Sequence, residues 1–205
     1  ALQGALSALT ARHAALRTVF TLEDDGPRQR IQPPVAVDLP VEDLSGMAEE
    51  DRQATAMDRA AAFADEPFDI SRDLLIRARL YRLDDRSFVL ALVVHHIASD
   101  GWSLGVTTDE LARLYADLSA GDCGDDGLEP LTIQYVDFAV WQRRWLEGGE
   151  LNRQIAHWRD VLAGAPSVID LPVDRPRPAV ARYRGGIVPL AVSPALTQAV
   201  DAAAR

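Results

Sequence analysis

The chain has 205 residues, 48% of them hydrophobic, so it is long enough to bury a core and suits one globular domain or one lobe of a larger one. Its 21 Lys and Arg face 31 Asp and Glu, a formal net charge of -10, which argues against nucleic acid and anionic membranes as partners because both demand basic patches. Cys123 is the single cysteine and sits in the polar stretch Gly121-Asp122-Cys123-Gly124-Asp125 with no histidine close by in sequence, so neither an internal disulfide nor an activated thiol is expected. No signal peptide is visible. The longest apolar run of note, Phe88 to Val94, falls far short of the roughly 20 residues a membrane span needs, and the expected location is cytoplasmic.

Leu2, Leu6, Leu9, His13 and Leu16 step by four and three, one face of a helix. Arg17 to Leu22 is rich in β-branched and aromatic residues and reads as a strand. The turn Asp24-Asp25-Gly26-Pro27 sends the chain back into Arg28 to Ile31. Met47 to Ala64, alanine-rich and charged, is a helix. Leu74 to Leu83 alternates, with Leu74, Ile76, Ala78 and Leu80 on one face and Leu75, Arg77, Arg79 and Tyr81 on the other. Ser87 to Val94 is nearly all apolar, which predicts a strand central in its sheet.

From Ser103 a helix carries Leu104, Thr107, Leu111, Leu114 and Leu118 on one stripe, with Gly121 just past its end. Helices follow over about Ile133 to Glu147 and Leu151 to Leu162, and His13 and His157 fall on helical patterns as structural residues. Gly164 to Gly186 is a Pro- and Arg-rich connector, Ile187 to Val192 a short strand, and Ser193-Pro194 the N-cap and first turn of another helix. The expected organisation is a lobe over 1–163, a connector over 164–186 and the start of a second lobe over 187–205.

The segment Val93-Val94-His95-His96-Ile97-Ala98-Ser99-Asp100-Gly101-Trp102-Ser103 joins a buried strand to a helix, the place where open α/β sheets put their sites. Imidazole ordinarily titrates near neutral pH, so a histidine here can accept or position a proton. Asp100 can fold back and fix the loop, and Gly101 lets backbone N–H groups come close to a substrate and steady a developing oxyanion. His, His and Asp are also metal-ligand types, but neighbours on a strand face opposite ways, so His95 and His96 do not readily share an ion and no metal is expected.

These residues resemble the HHxxxDG signature of the condensation domains of nonribosomal peptide synthetases. Arg12-His13-Ala14-Ala15-Leu16-Arg17-Thr18-Val19-Phe20 is similar to that family's RHExLRTxF motif, with Ala14 where glutamate is usual. Gln134-Tyr135-Val136-Asp137-Phe138-Ala139-Val140-Trp141-Gln142 resembles its YxDFAVW motif, and Leu171 to Pro178 followed by Tyr183-Arg184-Gly185 its connector. Read without the family, Tyr135, Phe138, Trp141 and Trp145 are a helix-packing stripe and Asp137 a structural hydrogen-bonding residue.

The resemblance implies an α/β fold like chloramphenicol acetyltransferase, a mixed sheet packed with helices, with this chain as the N-terminal of two lobes. It implies amide formation between two carrier-protein-bound thioesters, with an adjacent adenylation domain and the C-terminal lobe as further partners. Substrates would arrive on 4'-phosphopantetheine arms, and the domain itself would hold no cofactor. His96 is then the catalytic histidine, taking the amine's proton or orienting the amine, and Gly101 offers backbone to the thioester oxygen. His95, Trp102 and Ser103 are supporting motif residues. Asp100 is structural and pairs with an arginine of the earlier motif, Arg17 in preference to Arg12. The continuation Gly101-Trp102-Ser103 departs from epimerization domains and the two histidines from heterocyclization domains, and the connector resembles that of condensation domains taking an L-configured donor. Two other readings stay open: a coenzyme A-dependent HxxxD acyltransferase, and a non-catalytic docking lobe.

Overall fold

A computed structural model of the chain describes residues 1–121, 128–180, 185–186 and 188–204, so the readings of Cys123, Tyr183, Arg184 and Ile187 lie outside the described residues. The leucine repeat at the N-terminus forms α1 (Leu2–Arg12), which buries Ala5, Leu6, Leu9 and Thr10. The helix stops sooner than its repeat. His13 is extended at φ -96° and ψ 101°, and Ala14–Arg17 is a single 3₁₀ turn that still buries Leu16.

The chain then enters a hairpin of β1 (Thr18–Glu23) and β2 (Gly26–Ile31), paired from Thr18 with Ile31 to Glu23 with Gly26. Gly26 has φ 119°, a value side chains rarely adopt, at the close of the two-residue turn.

A second sheet holds β3 (Val41–Asp43), β4 (Ile76–Arg82) and β5 (Phe88–Val94), with β3 parallel and β5 antiparallel to β4. Its two faces follow the predicted alternation of β4. Ile76 and Ala78, with Leu90, Leu92 and Val94 of β5, pack on α1 and on Leu111 and Leu114 of α3 (Gly101–Ala120). Tyr81, with Val89, Ala91 and Val93, packs on Ala56 and Phe63 of α2 (Glu49–Asp65). The sheet is therefore covered on both sides, the three-layer arrangement that lets β5 be apolar throughout. The expectation that β5 is central is corrected: among the described residues it pairs only with β4, and the middle place belongs to β4. A strand apolar on both faces needs both faces covered; it does not need both edges paired.

Helix α4 (Tyr135–Trp145) starts on a capping box, with the Gln134 N–H donating to Asp137 Oδ2 at 2.8 Å. Asp137 thus has the structural role expected of it. The aromatic stripe does not. Tyr135, Phe138, Trp141 and Trp145 are 60%, 38%, 56% and 45% exposed, and they pack on one another in a ladder with successive ring centroids 5.7 Å apart. A π-type turn (Leu146–Glu150), with Gly149 at φ 107°, leads into α5 (Leu151–Val161).

The chain divides into two compact units, Ala1–His157 and Trp158–Arg205, the break falling inside α5, ahead of the boundary expected at 163. Among its described residues the second unit has one further helix, α6 (Pro194–Ala203), capped as predicted by Ser193, whose Oγ accepts from the Leu196 N–H at 3.3 Å. Val188 to Val192 is not a strand, although the apolar spacing suggests one; with no partner edge among the described residues, alternation alone makes no ladder.

Candidate active site

The predicted histidines lie one step beyond β5, and this changes how they are placed. The His95 N–H donates to Leu75 O at 2.9 Å and extends the β4–β5 ladder by one rung. The chain then turns over His96-Ile97-Ala98, with the Ala98 N–H donating to His95 O at 2.9 Å. His95 Nδ1 accepts from the Ile97 N–H at 3.0 Å, so Nε2 carries the proton of the neutral ring. The ring lies edge-on to Phe68, centroids 5.6 Å apart at 87°, and Phe68 in turn lies under the Arg77 guanidinium at 4.1 Å. His95 therefore builds the turn. His96 is exposed on it and opens into a cleft of about 160 Å³ shared with Ala15, Ile97, Asp100, Ser103 and Tyr135. The two rings are set apart by a turn and not by the expected strand alternation, since β5 ends at Val94.

Asp100 is the N-cap of α3. Its Oδ1 accepts from the Ser103 N–H at 2.8 Å and from the Ser103 hydroxyl at 2.7 Å. These bonds, the backbone N–H first, hold the Asp100 carboxyl below the usual aspartate range. The expected ion pair with an arginine is corrected. Arg17 donates to the carbonyls of Gln32 and, at 3.5 Å, Ala11. Arg12 donates to Glu110 Oε1 at 3.2 Å and to Glu129 O at 2.7 Å. Both arginines are turned to the backbone and to α3, and the carboxylate that serves Arg12 is Glu110. Ser103 is thus Asp100's partner, while Trp102 stands 87% exposed beside it.

Asparagine caps helices about as well as aspartate, so Asp100→Asn is expected to melt within about 2 °C of the parent chain and Asp100→Ala lower. The folded pKa is depressed, so the charge-dependent part of the cap's stability is full above the unfolded value and is lost as pH falls through the folded one. The gap between the parent and Asp100→Ala should narrow below about pH 4 in thermal melts. Loss of many degrees in Asp100→Asn at neutral pH would restore a buried ionic role.

Gly101 opens α3 with ordinary helical geometry, and a Cβ built there meets nothing within 4 Å. Among the described residues no atom demands glycine at that position, and the Gly101 N–H makes no hydrogen bond. Among the same residues no group of three His, Cys, Asp or Glu is placed to hold a metal, and no helix is long and apolar enough to cross a membrane.

Sequence reasoning does not assign Gln134, although the spacing of Gln134 and Asp137 is a capping-box pattern. Gln134 Nε2 donates to Arg12 O at 2.9 Å and its Oε1 accepts from the Ala14 N–H at 3.0 Å, which pins the start of α4 to the end of α1 and sets Tyr135 beside the His96 cleft. Glu110, Phe68 and Ala15 carry no local signal at all.

An exposed histidine on the turn out of a covered sheet, next to a helix N-terminus, can hold or move a proton close to backbone N–H donors. Comparison with known proteins gives the family: the one described as "Condensation domain" matches residues 1–205, and the chain belongs to it. It is 44% identical over 207 residues to phosphinothricin tripeptide synthetase PhsC of Streptomyces viridochromogenes, covering all of this chain and 19% of the synthetase. To malpibaldin synthetase of Mortierella alpina it is 44% identical over 201 residues, 98% of this chain and 4% of that one. The chain therefore spans less than a fifth of these relatives.

Among solved structures, the X-domain from teicoplanin biosynthesis matches with TM-score 0.80 and 33% identity, over 99% of this chain and 45% of that one. An X-domain in complex with OxyB matches at 0.78 and 35%, over 90% of this chain and 40% of that one. The α/β fold of mixed sheet and packed helices is the expected one.

Proposed function

We propose that this chain is the N-terminal lobe of a condensation domain that forms an amide bond between a donor acyl or peptidyl thioester and an acceptor aminoacyl thioester. Both would be delivered by carrier proteins on phosphopantetheine arms, with an adenylation domain adjacent in the same synthetase and a donor of L configuration. The observation that carries the reading is the shared cleft of His96, Asp100 and Ser103. It puts an unencumbered imidazole beside the start of α3, whose Gly101 N–H has no partner among the described residues. The acceptor amine would meet His96, and the carbonyl oxygen would meet backbone N–H groups at the helix start, where the dipole favours negative charge.

The test is reconstitution. This chain, mixed with a separately made C-terminal half of the domain and two loaded carrier proteins, should yield dipeptidyl thioester. Equal turnover with coenzyme A thioesters would instead favour a coenzyme A-dependent acyltransferase.

A second reading, a lobe whose main work is docking, is favoured by the exposed aromatic ladder of α4 and by the similarity to the X-domain in its complex with OxyB. A reconstituted domain that binds both carrier proteins tightly yet makes no dipeptide would establish it.

A further inference from the structure

Beside the His96 cleft lies a second cavity, also of about 160 Å³, walled by Ala14, Ala15, Phe20, Ile31, Ile97 and Tyr135. The two share Ala15, Ile97 and Tyr135, so they are neighbours. Thr18 and Gln29 also line it, and the polar groups at its floor are paired. The Thr18 hydroxyl donates to Ala14 O at 2.8 Å, and the Ala14 N–H donates to Gln134 Oε1 at 3.0 Å. Thr18 and Ala14 therefore ask a guest of the cavity for no hydrogen bond, and the polar groups left to meet one are those of Gln29 and Tyr135. Its lip leaves apolar surface in water, with Ile31 42% and Ile97 43% exposed.

The size limits the guest. A dry apolar cavity of about 150 Å³ holds one benzene ring, so this one fits a leucine-sized or phenyl side chain, or a short acyl tail. It does not fit a carrier protein's surface. Ala14 adds to this. In the motif this segment resembles, a glutamate stands at that position, and alanine takes a carboxylate out of the wall.

We infer that this cavity is the subsite for the apolar side chain or acyl tail of one thioester substrate, and that Ala14 and Ile97 set its size. The inference rests on the thioester-condensation reading and adds to it the class of substrate. The reacting carbonyl lies at His96, and its apolar substituent passes Ile97 and Tyr135 to lie against Ala14, Phe20 and Ile31. Burying that substituent against Ala14, Phe20, Ile31 and Ile97 is the attraction the inference rests on.

The experiment uses the 205-residue chain and three probes, the N-acetylcysteamine thioesters of acetate, butyrate and hexanoate, titrated by NMR. The expected result is affinity rising by about two orders of magnitude from acetyl to hexanoyl as four methylenes are buried, with the methyl signals of Ala14, Ile31 and Ile97 shifting. Ala14→Leu fills the cavity and should erase the preference for hexanoyl. Ile97→Ala, a change at a 43% exposed position and so safe for folding, should move the preference to longer tails. Equal binding of all three thioesters, no binding, or a preference indifferent to both variants would overturn the subsite. Failure of the underlying reading shows elsewhere, as undiminished condensation after loss of His96; a flat chain-length series beside a His96-dependent reaction would remove the subsite alone.

Discussion

Replacing His96 with alanine in the complete two-lobe domain is expected to lower peptide-bond formation between about a hundredfold and ten-thousandfold, the range of a positioned acid or base. The fold should be unchanged. His96 is exposed on its turn and makes no hydrogen bond among the described residues, so its removal leaves nothing unpaired. His95→Ala should behave in the opposite order. It takes the acceptor from the Ile97 N–H and the ring from Phe68, together about 1–2 kcal/mol of local stability, and it frees the turn that presents His96. The measurement is dipeptidyl-thioester formation on loaded carrier proteins, with melting curves alongside. A His96→Ala domain that melts normally and turns over normally would end the assignment. Equal loss of stability in both variants would end the division of labour between them.

How much of this is legible in the sequence follows from which interactions are local. The β-hairpin, the faces of β4 and the Ser193 cap depend on residues within a few positions of one another, and each stands as the pattern predicts. β3 is invisible there. Val41-Glu42-Asp43 is only three residues long and follows a proline, and it is a strand only because β4 lies beside it. The aromatic stripe of α4 reads as packing because spacing reports a face and does not report what covers it.

The site divides the same way. His96, Asp100 and Gly101 can be named because strand, turn and helix start follow in one short run. The partner of Asp100 cannot be chosen from charge alone. An arginine is the natural expectation for an aspartate in a motif, but the helix start three residues on supplies a closer N–H and hydroxyl from Ser103, at no cost in ordering a long side chain. Arg12 and Arg17 then answer a different need, the loose carbonyls around the end of α1 and the start of the hairpin. The cleft wall at Ala15 and Tyr135 comes from two segments far apart in the chain, and the Gln134 amide joins them.

That junction sets the second large effect. Glu110→Ala is expected to destabilise the chain by about 3 kcal/mol, the cost of stripping the partner from a largely buried charge. The Glu110 side chain is 13% exposed and serves two groups at once: Oε1 accepts from Arg12 at 3.2 Å and Oε2 meets His13 Nε2 at 2.5 Å. Arg12 is equally shielded at 13%, so without Glu110 its guanidinium keeps, among the described residues, only the Glu129 carbonyl. The damage should spread toward the cleft. Arg12 O and the Ala14 N–H are the two groups that Gln134 grips, so loosening the end of α1 loosens the start of α4 and with it Tyr135. Glu110→Gln tests whether charge or shape matters: it keeps an acceptor for Arg12 and should recover part of the stability, whereas a merely space-filling role would let it recover all. Chemical denaturation gives the first number, and the Tyr135 ring signals, which should broaden in Glu110→Ala before global unfolding, give the second. A Glu110→Ala chain as stable as its parent, with Tyr135 unmoved, would show that the Arg12–His13 segment is held by the α1–α3 core alone and that the motif's charged residues do no structural work here.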